Sequence, residues 1–586
     1  MKRQVLRITF TLVLLAGWGR AVGQVADDLP APGDGTPAAQ SGEGFAEGVD
    51  LRAFGRLAVY SDGRVKSVDS FAAGVMKHVT GPRGVEGQSD AFTYLDLMLR
   101  PDRYHSLDTI HVRNKLIRAR LASALRDRVD AERLERFVRS GLIAPELLAD
   151  ARVQAVLDEL STDLMTTARY VDAIRTALAT RDPMRLRRNL RLIPPPGGGP
   201  QDRWFAPDEL VMMRDRLPAP APMDDALRAP LIDQWAAFTE AWGREDAAGV
   251  NLAAAELAGL LPQVNSDPAV YPPVSKLAWE SWYVKHKNMT WVWLVYAFSL
   301  IPLLLFVAFR WDGARWVGLL LFLAAFGLHT FAVGLRWYVS GRWPNANMFE
   351  AVTTAAWFGG CFAVLFEVAA RRSALRGLIA VGSAAASMTA LMATRFYPLQ
   401  LDASIGNIMP VLHDVWLYIH TNVIIFSYAL IFMAAMSALL YLLYRIGKSA
   451  AGGVGIDDYA EAGGAASVIM TDGEGAPYLA RAKTTIGQVL DGATMILIEL
   501  SFILLWAGIV MGAIWADHSW GRPWGWDPKE VFALNTFIIF AVLIHVRLKV
   551  RDKGLWTAVL AIIGCAVMLF NWVVINFTIA GLHSYA

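Results

Sequence analysis

Trp515, Trp520, Trp524 and Trp526 crowd one short polar stretch, Trp515-Ala-Asp-His-Ser-Trp520-Gly-Arg522-Pro-Trp524-Gly-Trp526-Asp527-Pro-Lys529-Glu530, between two long apolar runs. Flat aromatic surface at that density suits a planar, hydrophobic, acid-bearing ligand, of which haem is the plainest chemical example. An aromatic belt accounts for one or two tryptophans at each end of a membrane span. It does not account for three of them around a turn rich in glycine and proline. Arg522 and Lys529 could pair with the acid groups of such a ligand, or face lipid headgroups. Asp527, Pro528 and Glu530 have an account of their own. Asp at N-cap, Pro at the first helical position and Glu at the third read as a helix start, a variant of the capping box. Asp527 is therefore assigned chiefly to loop geometry, with any contact to the ligand secondary.

Histidines supply the complementary chemistry. His420 lies in Trp416-Leu-Tyr-Ile-His420-Thr-Asn, and His583 in Gly581-Leu-His583-Ser-Tyr-Ala586. Two neutral imidazoles approaching from opposite sides fill both axial positions of a haem iron. Either one alone reads as an ordinary interfacial residue. At one depth beside the tryptophans they form a candidate external site. His329 and His545 fall inside apolar runs, where imidazoles are uncommon and either functional or buried in a bundle. Their depths are compatible with a second haem site within the membrane; the alternative for each is a hydrogen bond to a neighbouring helix. His413, two helical turns before His420, is a minor candidate. His518 and His286 read as surface and interfacial residues, and His78, His105 and His111 as surface or packing residues.

These residues need elements to hold them. The chain has 586 residues, 55% of them hydrophobic, and a mean hydropathy of +0.35, too apolar for an ordinary soluble protein. A span needs roughly 20 apolar residues. Eight such runs appear near 289–309, 316–337, 350–369, 375–394, 416–444, 493–515, 530–549 and 555–577. The fold class expected is all-α: a polytopic bundle of eight spans (residues 286–586) behind an exported, mainly helical domain (51–285). Residues 1–24 read as a signal peptide, with an uncleaved anchor as the alternative, and 25–50 as a flexible leader. The 446–492 stretch reads as a tolerated insertion. Connections carrying Arg310, Arg315, Arg371, Arg372, Arg376, Arg445, Lys448, Arg547, Lys549 and Arg551 fall on one side. The positive-inside rule makes that side cytoplasmic. His420, His583 and the 515–530 loop then face outward, as does the C-terminus, in a bacterial inner membrane. The net charge of +2 gives no case for nucleic acid. The two cysteines, Cys361 and Cys565, sit in apolar runs without a CxxC, so thiol–disulfide chemistry does not originate here.

The stretch ending in Trp524-Gly-Trp526-Asp527-Pro-Lys-Glu530 resembles the tryptophan-rich WWD signature of haem-handling proteins, and its ending resembles the CcsA (ResC) branch of system II cytochrome c biogenesis. Gly334-Leu-Arg-Trp-Tyr-Val-Ser-Gly-Arg-Trp-Pro-Asn-Ala-Asn-Met-Phe-Glu350 is similar to that branch's early outside loop. The segments around His420, His545 and His583 are similar to its histidine segments. Arg342 stands where many relatives have His, so no ligand is carried there, and the match of His329 is weaker. In two-part synthases of this type, the second membrane histidine can come from the other subunit.

The resemblance implies haem b as ligand or substrate. It also implies a part in a holocytochrome c synthase that attaches haem to an apocytochrome bearing CxxCH. The partners it implies are a CcsB (ResB)-like subunit and a thioredoxin-like reductant. Two other readings stay open: a haem transporter or chaperone without ligation activity, and a membrane scaffold whose tryptophans anchor partners. For residues 51–285 the resemblance carries no activity.

Overall fold

The computed structural model describes residues 43–576 apart from 83, 86, 164–165, 214–222, 370–372, 374, 408–412 and 451–484, together with residue 579. The expected signal peptide and most of the leader lie outside the described residues, as do His583 and most of the expected insertion. The protein is all-α in character. The only sheets among the described residues are two antiparallel two-stranded ones, Ala58–Ser61 with Arg64–Ser67 and Ile110–His111 with Leu142–Ile143.

Two compact units divide the chain. One takes the described residues up to His286 together with Ser404–Asn407, and its helices are amphipathic and punctuated, as polar spacing dictates. Its core is aromatic: Phe54 stacks on Phe238 at 5.1 Å, and Phe92 tilts against Trp242. A buried carboxylate organises it. Asp96, fully buried, accepts from the Trp242 indole at 2.8 Å, from the Tyr104 hydroxyl at 2.8 Å and from Arg100 Nε at 2.6 Å. Ile405 O accepts from Arg64 Nε at 2.7 Å, fastening the 404–407 segment to this unit.

Among its described residues the other unit carries eight helices long and apolar enough to cross a membrane. They are α1 (Trp293–Phe309), α2 (Asp312–Ser340), α3 (Met348–Ala369), α4 (Leu378–Phe396), α5 (Val415–Ala450), α6 (Ile486–Trp520), α7 (Pro528–Lys549) and α8 (Lys553–Leu569). The last is extended by a π-helical turn, Phe570–Ile575. α1 packs on α2 and α4, α3 on α4 and α5, α5 along α6, and α7 on α6 and α8. The sequence expectation placed the end of the sixth span at residue 515. The helix instead runs on to Trp520, so Trp515 and Trp520 are helical and only 521–527 forms the loop. Gly521, at φ 69°, caps it in the left-handed region, which glycine enters without a Cβ penalty.

At the far end of the bundle from the tryptophans, charges are matched in pairs. Arg547 on α7 grips Asp491 on α6 bidentately, at 2.8 and 2.6 Å, and reaches Thr557 on α8 at 2.5 Å. Arg445 on α5 meets Asp552, before α8, at 2.6 Å. Burial pushes the Asp552 carboxyl up, but the Arg445 hydrogen bond, the Leu555 backbone N–H and the Arg445 charge together outweigh it and hold the group below the usual aspartate value. Removing one partner of a buried pair strands the other charge, at a cost of about 3–5 kcal/mol. Asp491→Leu is therefore expected to lower the thermal midpoint of the detergent-purified protein, and adding Arg547→Met is expected to recover much of the loss. A double variant no more stable than the single one would contradict the pairing.

Candidate functional site

The site starts from a buried charge. Glu350, at the beginning of α3, is fully buried. Its carboxylate accepts from Arg336 Nε on α2 at 2.8 Å, from Arg342 Nη1 at 2.7 Å and from the Ala346 backbone N–H at 2.7 Å. A carboxylate this deep needs such partners. Satisfying it ties the end of α2, the 341–347 loop and the start of α3 into one block. The loop is also fastened to α5. Trp343 Nε1 donates to Asn422 Oδ1 at 2.8 Å, and Asn345 Nδ2 donates to Thr421 Oγ1 at 3.0 Å. Those two α5 residues directly follow His420.

His420 is half-buried against α6. Its Nδ1 lies 2.7 Å from the Gly508 carbonyl oxygen. A carbonyl only accepts, so Nδ1 carries the proton and Nε2 is the imine nitrogen, the form that ligates metals. A Cβ on residue 512 would stand 2.7 Å from the imidazole Cε1. Glycine at that position is what lets the ring lie against α6.

The tryptophan segment closes the other side. The capping box expected from Asp527 and Glu530 is present in both halves. Asp527 accepts from the Lys529 N–H at 3.1 Å. Glu530 Oε2 accepts from the N–H groups of Asp527, at 3.1 Å, and Gly525, at 2.9 Å. The helix start thus shapes the loop before it. Trp526 takes φ 55°, a left-handed conformation costly for a tryptophan. That turn leaves Trp526 73% exposed, while Trp524 faces inward, with the two rings edge to face at 6.0 Å.

Between these parts lies a cleft of about 290 Å³ walled by α3, α5, α6, α7 and the π-helical turn. His420, Trp515 and Trp524 line it, with Lys529 and Glu530 from α7 and Asn345 from the loop. Trp515 is buried and meets Trp520 edge to face at 4.8 Å. Of the residues singled out from sequence, the cleft gathers His420, Trp515, Trp524 and Lys529. Trp520 and Asp527 support it from behind. Arg522 and Trp526 are exposed and do not line it, and His583 lies outside the described residues.

His329 and His545 are not brought together. α2 packs on α1, α3 and α4, whereas α7 packs on α6 and α8. His329 is buried, with Nδ1 3.3 Å from the Tyr296 hydroxyl and no hydrogen-bond partner for Nε2 among the described residues. His545 is exposed on its helix, with Nδ1 2.7 Å from the Ala541 carbonyl one turn earlier.

Sequence reasoning missed Glu350, Asn571, Trp572 and Asn576. Asn571 and Asn576 were visible as polar interruptions of the last apolar run. Glu350 was visible as an acid at the start of one. Breaking the Glu350 cluster is predicted to cost about 3–5 kcal/mol, because two guanidinium groups lose their carboxylate. Glu350→Gln should therefore lower the thermal midpoint and expose the 341–347 loop to protease. An unchanged midpoint and cleavage pattern would contradict this account.

Comparison with known proteins gives concordant results. The family described as cytochrome C assembly protein matches residues 345–583. The CcsA cytochrome c biogenesis protein of Parasynechococcus marenigrum (strain WH8102) is 30% identical over 255 residues, covering 43% of this chain and 80% of that protein. The CcsA of Synechococcus sp. (strain CC9311) is 30% identical over 298 residues, covering 50% of this chain and 96% of the relative. That of Synechococcus sp. (strain RCC307) is 32% identical over 273 residues, covering 45% and 83%. The family match over residues 345–583 takes in Glu350, His420 and the capped tryptophan loop, and the relatives are covered over four-fifths or more of their length; the chain belongs to the CcsA family of cytochrome c biogenesis proteins.

Proposed function

We propose that this chain binds haem b in the cleft at the tryptophan end of the bundle, with His420 Nε2 as an axial ligand, and presents it for attachment to apocytochrome c. The observation that carries the reading is the imidazole held by the Gly508 carbonyl inside a cleft walled by Trp515 and Trp524. The residues suit the ligand. The ring lies where glycine alone gives room, the aromatic walls match a porphyrin face, and Lys529 offers a cation for a propionate. His583 is the proposed second axial ligand. His545 and His329 remain proposed ligands of a haem within the membrane, each completed from elsewhere, His545 from a CcsB-like subunit.

The distribution of arginine and lysine supports placing the cleft on the periplasmic side of a bacterial inner membrane. There the chain would act within a system II synthase beside a CcsB-like subunit and a thioredoxin-like reductant. The chemistry is addition. Each Cys S–H of the substrate's CxxCH segment adds across a haem vinyl group, sulfur bonding one carbon and hydrogen the other, with no net change of oxidation state. The role of this chain is to hold the ring, orient its vinyl edge and exclude water. The substrate's own histidine can replace one axial ligand as the product leaves.

Purified full-length protein loaded with hemin is predicted to show a low-spin bis-imidazole absorption spectrum. His420→Ala should abolish it, and Gly512→Ala should weaken it by displacing the ring. A spectrum indifferent to both variants would overturn the reading. Co-expression with an apocytochrome bearing CxxCH and a CcsB-like partner separates synthase from carrier, since only the synthase yields covalent haem.

A further inference from the structure

A second cavity adjoins the first. It has a volume of about 340 Å³ and lies between α3, α4, α5 and the last turns of α8. Its lining is almost wholly hydrocarbon, and among the described residues no charged side chain contributes to it. Every helix brings the end nearest the tryptophans: Val352 at the start of α3, Ala390 and Ala393 near the end of α4, Ala429 in the early turns of α5. Its rim includes Val573, 52% exposed, and Leu569, 36% exposed. At membrane depth such a rim faces lipid.

The two cavities share three wall residues, Met348, Tyr428 and Trp572. Tyr428 and Trp572 meet edge to face at 5.3 Å, and Asn571 Nδ2 donates to the Tyr428 hydroxyl at 3.4 Å. Asn576 Nδ2 donates to the Trp572 carbonyl at 2.8 Å and contacts Met348 Sδ at 3.3 Å. The residues common to both walls are therefore Met348, Tyr428 and Trp572, with the Asn571 and Asn576 amides bonded to them. Met348 has an unbranched, adaptable side chain. Trp572 sits in the π-helical turn Phe570–Ile575, a kind of irregularity that marks functional positions in helices.

The two chambers differ in chemistry in a way that selects an occupant. The cleft has Lys529 and Glu530, and the second cavity has hydrocarbon. A ligand with carboxylates on one edge and hydrocarbon on the other matches that division. Resting on the haem reading, we infer that the apolar cavity is a lateral entrance through which a tetrapyrrole dissolved in the bilayer reaches the His420 cleft, passing a gate formed by Met348, Tyr428 and Trp572. The acid edge crosses the apolar chamber first and comes to rest by Lys529, the vinyl edge following through hydrocarbon, so in the bound state no charge remains in the apolar chamber.

The test compares two deliveries of hemin to the full-length protein in lipid nanodiscs. In one, hemin is dissolved beforehand in the phosphatidylethanolamine–phosphatidylglycerol bilayer; in the other it is handed over from albumin in water. Ala390→Trp fills the chamber away from the cleft, and Ala390→Leu is a milder plug should the first fold poorly. Leu365→Trp, on the lipid-facing side of α3, controls for an added indole. The plugs are expected to slow loading from the bilayer several-fold, with Trp stronger than Leu, and to leave loading from albumin and the final spectrum unchanged. Equal rates from the bilayer, or a plug that displaces only phospholipid, would overturn the entrance. A wild-type protein that takes up hemin by neither delivery would overturn the haem reading itself, a distinguishable result.

Discussion

A carboxylate buried at the start of a membrane helix is tolerable only when its charge is answered. Glu350 meets that condition with two guanidinium groups and a backbone amide. The rest of the site follows from it. Because Arg336 comes from α2 and Arg342 from the loop, the two helices cannot be joined by an arbitrary connection; the loop is pressed into one shape. Because that shape presents Trp343 and Asn345 to residues 422 and 421 of α5, the turn of α5 that bears His420 is held as well. The imidazole meets α6 at two glycines, one whose carbonyl accepts a hydrogen bond from its N–H and one giving it room. A single desolvated charge is thus tied, through hydrogen bonds joined by short stretches of backbone, to the turn of α5 that carries one ring.

The opposite wall is built by local rules. The capping box of α7 fixes the turn before it, and the turn sends Trp524 inward and Trp526 outward. The strain at Trp526 is the consequence of a helix start that satisfies its own orphan amides at Asp527 and Gly525. The α7 start therefore serves two ends at once: it caps a helix and aims one tryptophan of two. Beyond the shared partition, the chambers divide polar from apolar surface along the same line as the ligand they are proposed to take.

Much of this was legible in the residues. Apolar runs of span length announced eight helices, because a bilayer leaves few alternatives to them. The Asp527–Glu530 cap was readable because capping is local. Four things were not. The continuation of α6 through Trp520 was hidden, because polar residues after an apolar run look like a loop even when the helix goes on into Asp517 and His518. The outward turn of Trp526 depends on a backbone angle that no residue type announces. The separation of His329 from His545 depends on which helices neighbour one another, and similar depth along two helices says nothing of that. Glu350 and Arg336 lie fourteen residues apart, and their pairing arises only when α2 and α3 fold back on each other.

The central claim is that the His420 imidazole, set by α6 and by the Glu350-held loop, ligates haem iron in the tryptophan cleft. The most direct measurement is a cryo-EM map of the hemin-loaded full-length protein. The account predicts iron density within coordination distance of His420 Nε2, with the porphyrin against Trp515 and Trp524 and a propionate toward Lys529. A porphyrin ligated at His545 or His329 alone, with the His420 cleft empty, would contradict it.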